Sequence, residues 1–294
     1  MEAWKKDKTA EDAGAQWVRD VKSVEAERGQ TYLPCHMDSH AILLVTQYDG
    51  AHFAGWQRQP RARTVQGEIE RVLERLCGRA VSAVGAGRTD SGVHAHGQGV
   101  GVQVSCRWTP TALVRAMNAL LPSDIWIASA HAMTDDFHPR RSAIARRYRY
   151  LVGTDAAARS PFRRRFEWAV ARPIDGEVLT GEADAILGEH TFRAFAVANT
   201  APSTDNHRCV VSHASWSARE GGWLFEVAAN RFLHHMVRFL VGTMIEAAVG
   251  RVPRGTVSRL LTLEHNQDTA SPAPAHGLSL HEVLYPVGLF LDHS

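Results

Sequence analysis

The chain has 294 residues, more than one typical core needs and about right for two domains. Its composition is ordinary globular, with 45% apolar and 22% charged residues. No run of 18 uncharged apolar residues occurs, so no membrane span is expected. Net charge is only +2, but it is unevenly placed. Nine arginines lie between Pro139 and Phe166 (Arg140, Arg141, Arg146, Arg147, Arg149, Arg159, Arg163, Arg164 and Arg165), against the single acid Asp155. Such a run reads either as a solvated basic face or as a phosphate-binding track. Arginine in place of lysine favours forked contacts to phosphate oxygens.

Residues 1–38 read as a polar extension, helical in part or disordered. They have no apolar signal core and carry acids among their lysines, which argues against a secretory or transit peptide. Ala41 to Tyr48 reads as a strand closed by Asp49-Gly50. Val65, Ile69, Val72, Leu73 and Leu76 recur at helical spacing. Val81 to Gly85 and Gly97 to Val104 read as strands. A helix from Thr109 to Leu121 stops at Pro122, and Ile125 to Ala130 is a further strand. The order is β-α-β-β-α-β.

The second half repeats that outline without repeating the sequence. Ser142 to Val152 is a strand and Glu177 to Gly188 a helix. Val210 to Ala218 and Trp223 to Asn230 form a hairpin around Glu220-Gly221-Gly222. Leu233 to Val249 is a long helix ending at Gly250. A short helix spans about Arg254 to Leu263, and Leu278 to Tyr285 is the last strand. The expected fold is α+β. Two ferredoxin-like (split βαβ) halves share a central, mainly antiparallel sheet, with helices on one side and a cleft between the halves. The expected divisions are an extension at 1–38, an N-terminal half at 39–136 and a C-terminal half at 137–294.

The segment Gly85 to Ala95 places Asp90 in a turn built from Gly85, Gly87 and Gly92, two residues after Arg88. Glycine accepts conformations that fix such a turn, so Asp90 reads as a nucleophile or base, or else merely as a turn cap. The spacing excludes a dinucleotide loop, which would want glycine at position 90, and a P-loop, since no Gly-Lys-Ser/Thr is present. Arg238 sits in an otherwise apolar helix. It either snorkels to water along its stem or is buried against a carboxylate, and Asp90 is then the attractive partner. Tyr148 and Tyr150 share one face of their strand, and Arg147 and Arg149 the other. Aromatics interleaved with arginines suit stacking on an unpaired base beside a phosphate backbone, although two core tyrosines are the commoner case. The pairs His94/His96 and His234/His235 lack a completing ligand set at a recognised spacing, so no metal site is expected. Cys35, Cys77, Cys106 and Cys209 are scattered, with no CxxC pair. Neither a disulfide framework nor a zinc site is suggested, and a cytoplasmic setting fits.

Taken together, several motifs closely resemble the tRNA pseudouridine synthase A family. They are Tyr48-Asp49-Gly50, Gly55-Trp56-Gln57-Arg58-Gln59, and Gly87-Arg88-Thr89-Asp90 with Gly92-Val93-His94-Ala95 and Gln98. Leu121-Pro122 with Asp124-Ile125, Phe137-His138 and Arg146-Arg147-Tyr148-Arg149-Tyr150 follow. Phe232, His234-His235-Met236-Val237-Arg238 with Gly242, and Gly277-Leu278 with Tyr285 complete the set. The match runs from about residue 40 to 286. The resemblance implies isomerisation of uridine to pseudouridine at positions 38, 39 and 40 of the tRNA anticodon stem-loop. It implies no cofactor and a homodimer in which one tRNA contacts both subunits. It places the nucleophile on Asp90, its pairing arginine on Arg238 and the active-site tyrosine on Tyr148. Arg88 then contacts RNA and Leu278 lines the base pocket, while Arg58, His94, Arg146 and Arg147 are read as further substrate contacts. Two other classes compete: an RNA-binding module without catalysis, and a carboxylate-dependent glycoside hydrolase. The latter would want two catalytic carboxylates where the sequence offers one convincing candidate.

Overall fold

A computed structural model describes residues 39–170, 172–198, 200 and 204–291. The extension at 1–38 lies outside the described residues. The first half supplies strand β1 (Ser39–Tyr48), helix α1 (Val65–Cys77), β2 (Val84–Gly85), β3 (His94–Ser105), α2 (Pro110–Asn118) and β4 (Ile125–Met133). The second supplies β5 (Ala145–Gly153), β6 (Trp168–Ala169), α3 (Gly176–Asp184), β7 (Gly188–Thr191), β8 (Arg208–Arg219) and β9 (Gly222–Ala229). It ends with α4 (Met236–Ala248), α5 (Thr256–Leu260) and β10 (Leu278–Leu284).

Local chemistry accounts for the helix ends. Thr64 caps α1 by accepting from the Gly67 N–H, and Gly78, at φ 69°, closes it in the left-handed region. Thr109 caps α2, with Pro110 at the first helical position. α4 begins at Met236, three residues later than the apolar pattern suggests, because His235 stands at φ 61° and breaks the helical run. β2 is shorter than its apolar run. β6 and β7 carry no clear alternation and escape the sequence pattern.

The strands form one sheet in the order β4-β1-β3-β10-β5-β9-β8-β7, with β2 on β3 and β6 on β5. Each half shows the same internal order: β4-β1-β3-β2 in the first, β10-β5-β9-β8 in the second. Pairing is antiparallel except at β10–β3 and β5–β6. The expected mainly antiparallel α+β sheet is therefore present. Among the described residues, no helix is long and apolar enough to cross a membrane.

The seam between the halves positions the site. β2 pairs with Val100 and Gly101 of β3, whereas β10 pairs with His94 and Ala95. A strand edge can hydrogen-bond to one partner at a time, so β2 must leave the sheet before β10 arrives. The loop 86–93 fills that gap. The buried Val, Ile, Leu and Met side chains of α1–α5 belong to one large cluster on one sheet face. A small cluster of Ala41, Leu43, Met133 and Phe137 serves the opposite face. Leu280 of β10 is fully buried in the large cluster, at the seam. Leu280→Ala is expected to lower unfolding free energy by about 2–5 kcal/mol, measured by urea denaturation.

Candidate active site

The loop 86–93 is tied to its surroundings at several backbone groups. The Ala86 N–H donates to the Gly99 carbonyl at 2.8 Å, and the Trp56 N–H donates to the Thr89 carbonyl at 3.0 Å. Gln98 Nε2 donates to the Gly87 carbonyl at 2.9 Å. The Thr89 hydroxyl lies 2.8 Å from the buried Tyr48 hydroxyl, whose pKa burial pushes up to about 12. Gly55, at φ 90°, lets this backbone approach: a Cβ there would stand 2.7 Å from the Thr89 carbonyl. A loop held at so many points has few alternative conformations, and its one carboxylate is aimed accordingly.

Asp90 faces the first turn of α4. Arg238 Nη1 donates to Asp90 Oδ2 at 3.1 Å, and both side chains are mostly buried, 14% and 17% exposed. The snorkelling alternative for Arg238 is thereby set aside. Its Nε donates to the Ala273 carbonyl at 2.8 Å, while the Ala273 N–H donates to the Arg238 carbonyl at 2.9 Å. The guanidinium is thus held from behind. His235 Nε2 stands 3.3 Å from Asp90 Oδ2, and His234 Nε2 stands 3.7 Å from Oδ1. Burial pushes the His235 imidazole below the usual histidine range, which favours its neutral form.

These groups line an open cleft of about 1040 Å³ between the halves. Asp90, Arg88, Tyr148, Arg146, Leu278 and Arg238 all face it, so six of the anticipated site residues come together. Among the described residues lining the cleft, Asp90 is the only carboxylate, which disfavours a two-carboxylate hydrolase. Tyr148 packs edge-on against Phe232, with ring centroids 5.1 Å apart. Burial holds its phenol well above the ordinary tyrosine range, so it stays neutral. Leu278 is buried beside it, at the start of β10. Arg88 is exposed on the loop.

Four anticipated RNA contacts sit elsewhere or are engaged otherwise. Arg146 lines the cleft but is buried, and its Nη atoms donate to four carbonyls: Ala143 at 3.1 Å, Asn230 at 2.7 Å, Ala86 at 3.0 Å and Arg140 at 2.6 Å. It fastens the Asp90 loop to β5 and the end of β9, which leaves little of it for a phosphate. Arg147 points to the opposite sheet face and pairs with Glu282 at 3.2 Å. His94 is buried; its Nδ1 accepts from the Gly50 N–H at 3.0 Å and its Nε2 meets the Arg165 carbonyl at 3.2 Å. Arg58 pairs with Glu70 at 2.9 Å and does not line the cleft.

The run of nine arginines is not one free cationic face. Arg147, Arg149, Arg163 and Arg165 pair with Glu282, Glu226, Asp155 and Asp49. Arg140, Arg141, Arg159 and Arg164 remain exposed. The cleft is lined by cations from several segments instead: Arg88, Arg140, Arg146, Arg238 and Arg231, the last paired with Asp205 at 2.5 Å. Sequence reasoning gave no weight to Arg231, nor to His234 and His235 as neighbours of Asp90. The only signal was their place beside Arg238 at the helix start.

Arg146→Ala should leave four carbonyls without their cation and lower stability by about 3 kcal/mol in guanidinium unfolding. Arg146→Lys should recover only part, because a point charge cannot reproduce the fork. His94 yields a pH prediction. Burial depresses its folded pKa, so below about pH 6.5 the unfolded chain binds the extra proton first. Stability should fall as pH drops from about 7 to 5, and His94→Asn should flatten that dependence.

Comparison with known proteins agrees with this geometry. A family model described as tRNA pseudouridine synthase matches residues 44–140 and 183–286. The chain is 38% identical over 260 residues to tRNA pseudouridine synthase A of Myxococcus xanthus, covering 84% of this chain and 92% of that protein. It is 40% identical over 239 residues to tRNA pseudouridine synthase A of Halalkalibacterium halodurans, covering 81% and 89%. It is 41% identical over 246 residues to the same enzyme of Chlorobaculum tepidum, covering 83% and 97%. With its mainly antiparallel sheet and a single carboxylate held in the cleft by an arginine, the chain belongs to the tRNA pseudouridine synthase family, a family of isomerases.

Proposed function

We propose that this protein converts uridine to pseudouridine in tRNA, at positions 38, 39 and 40 of the anticodon stem-loop. The observation that carries the reading is the Asp90–Arg238 contact at 3.1 Å, inside a cleft that also presents Tyr148 and Leu278. The net reaction breaks the bond from ribose C1′ to uracil N1 and forms one from C1′ to C5. The C5 proton leaves and N1 gains one, so atoms and charge balance.

Asp90 is the reacting carboxylate. Attack at C1′, attack at uracil C6 and removal of the C2′ proton all start from its ionised form. Arg238 aims it through a charge-assisted hydrogen bond. The target uridine flips out of its stem, because a group recessed in a cleft cannot reach a stacked base. Tyr148 offers a ring face to the extruded uracil, and Phe232 fixes that ring's tilt. Leu278 supplies an apolar wall that keeps the detached base in place. Arg88 and Arg140, exposed at the cleft, suit phosphate contacts. The family resemblance supports a homodimer in which one tRNA meets both subunits, acting in the cytoplasm without a cofactor.

Asp90→Asn should lower pseudouridine formation in a tRNA transcript by about 10⁴-fold or more. Substantial remaining activity would remove Asp90 from the reaction. Arg238→Ala should lower the rate by on the order of 10²-fold with tRNA affinity nearly unchanged, since its partner is Asp90 and not a phosphate. A filter-binding assay beside the rate assay separates the two effects. Selective loss of binding would reassign Arg238 to the RNA backbone.

A further inference from the structure

The site holds more donors than the isomerisation uses. Asp90, His234 and His235 each direct one ligand atom into the same space, and these atoms all lie within 4.8 Å of one another. A metal with nitrogen and oxygen ligands at about 2.0–2.2 Å in tetrahedral geometry sets neighbouring ligand atoms about 3.3–3.6 Å apart. The separations here are 3.3 Å from His235 Nε2 to Asp90 Oδ2 and 3.7 Å from His234 Nε2 to Oδ1. The two contacts fall on different carboxylate oxygens, so a turn of the carboxylate or of the His235 ring is needed to bring all three groups onto one ion. The histidine rings lie 4.2 Å apart, so the pair already converges. Two imidazoles and one carboxylate suit Zn²⁺ and its borderline-soft neighbours rather than Mg²⁺.

We propose that Asp90, His234 and His235 form a transition-metal site, with Zn²⁺ as the fitting ion, and that its occupation inhibits the enzyme. Arg238 holds Asp90 Oδ2 at 3.1 Å, which leaves Oδ1 for the cation. That neighbouring positive charge keeps the affinity below that of a structural zinc site. The remaining coordination position faces the cleft and takes water. An ion seated there removes the carboxylate from the nucleoside and competes with tRNA. The inhibition rests on the function proposed above; the binding does not.

The test has two arms. The first titrates the full chain with Zn²⁺ by calorimetry and with Co²⁺ by visible absorption. One saturable site is expected, weakened at least tenfold by His235→Asn or His234→Ala and unaffected by Cys106→Ser. Asparagine tolerates the left-handed conformation at position 235 (φ 61°), so that variant keeps the fold. Unchanged Zn²⁺ affinity in the double variant His234→Ala/His235→Asn would overturn the proposal. The second arm measures pseudouridine formation. Zn²⁺ should inhibit reversibly, raising the apparent KM for tRNA and yielding to a chelator, while millimolar Mg²⁺ should not. Zn²⁺ bound at this site without inhibition would overturn the inhibitory role and leave the first arm standing. If the parent makes no pseudouridine at all, the function fails while the binding arm still decides the site.

Discussion

The structure turns on one ion pair that neither half can make alone. Asp90 belongs to a loop of the first half and Arg238 to a helix of the second, and they meet 3.1 Å apart at 14–17% exposure. Either charge left alone at such a site is costly, so the pair couples the placement of the halves to the state of the carboxylate. The surrounding contacts hold the two groups in register. Arg146 ties the loop to β5 and the end of β9, Ala273 ties Arg238 from behind, and Trp56, Gln98 and Tyr48 fix the loop backbone.

The sheet explains why the loop lies where it does. A two-residue β2 leaves part of the β3 edge open, and β10 arrives from the other half to fill it. The chain between those pairings has to leave the sheet, and it does so facing α4. The seam that joins the halves is also the place where a side chain from each can meet. The geometry of the cleft and the continuity of the sheet thus rest on the same arrangement, and a strand with Leu280 on one face serves both.

The arginines illustrate how composition and placement diverge. Nine in one stretch look like a single phosphate track, yet four are paired with acids, Glu282, Glu226 and Asp49 from elsewhere and Asp155 from within, and Arg146 is taken up by carbonyls. The cations that face the cleft come from the Asp90 loop, the start of the second half, the end of β9 and α4. A linear count of charge could not foresee this, because pairing depends on which acids folding brings near. The histidines show the converse: no spacing in the sequence completes a ligand set around His234 and His235, and the fold supplies Asp90.

The sequence by itself determined the alternation of strands and helices, because period and capping are local properties. It also determined the family and the glycine-bordered turn that carries Asp90, through motifs whose chemistry is readable residue by residue. It left open whether Arg238 was buried, and it assigned Arg146, Arg147, His94 and Arg58 alike to RNA. Only the tertiary structure decided those matters. Burial, partner and facing direction are set by segments far apart in the chain: Glu282 for Arg147, the Gly50 and Arg165 backbone for His94, and Asp90 for Arg238. Spacing along one strand or helix says which residues share a face, but what stands opposite that face is fixed only when the chain closes on itself.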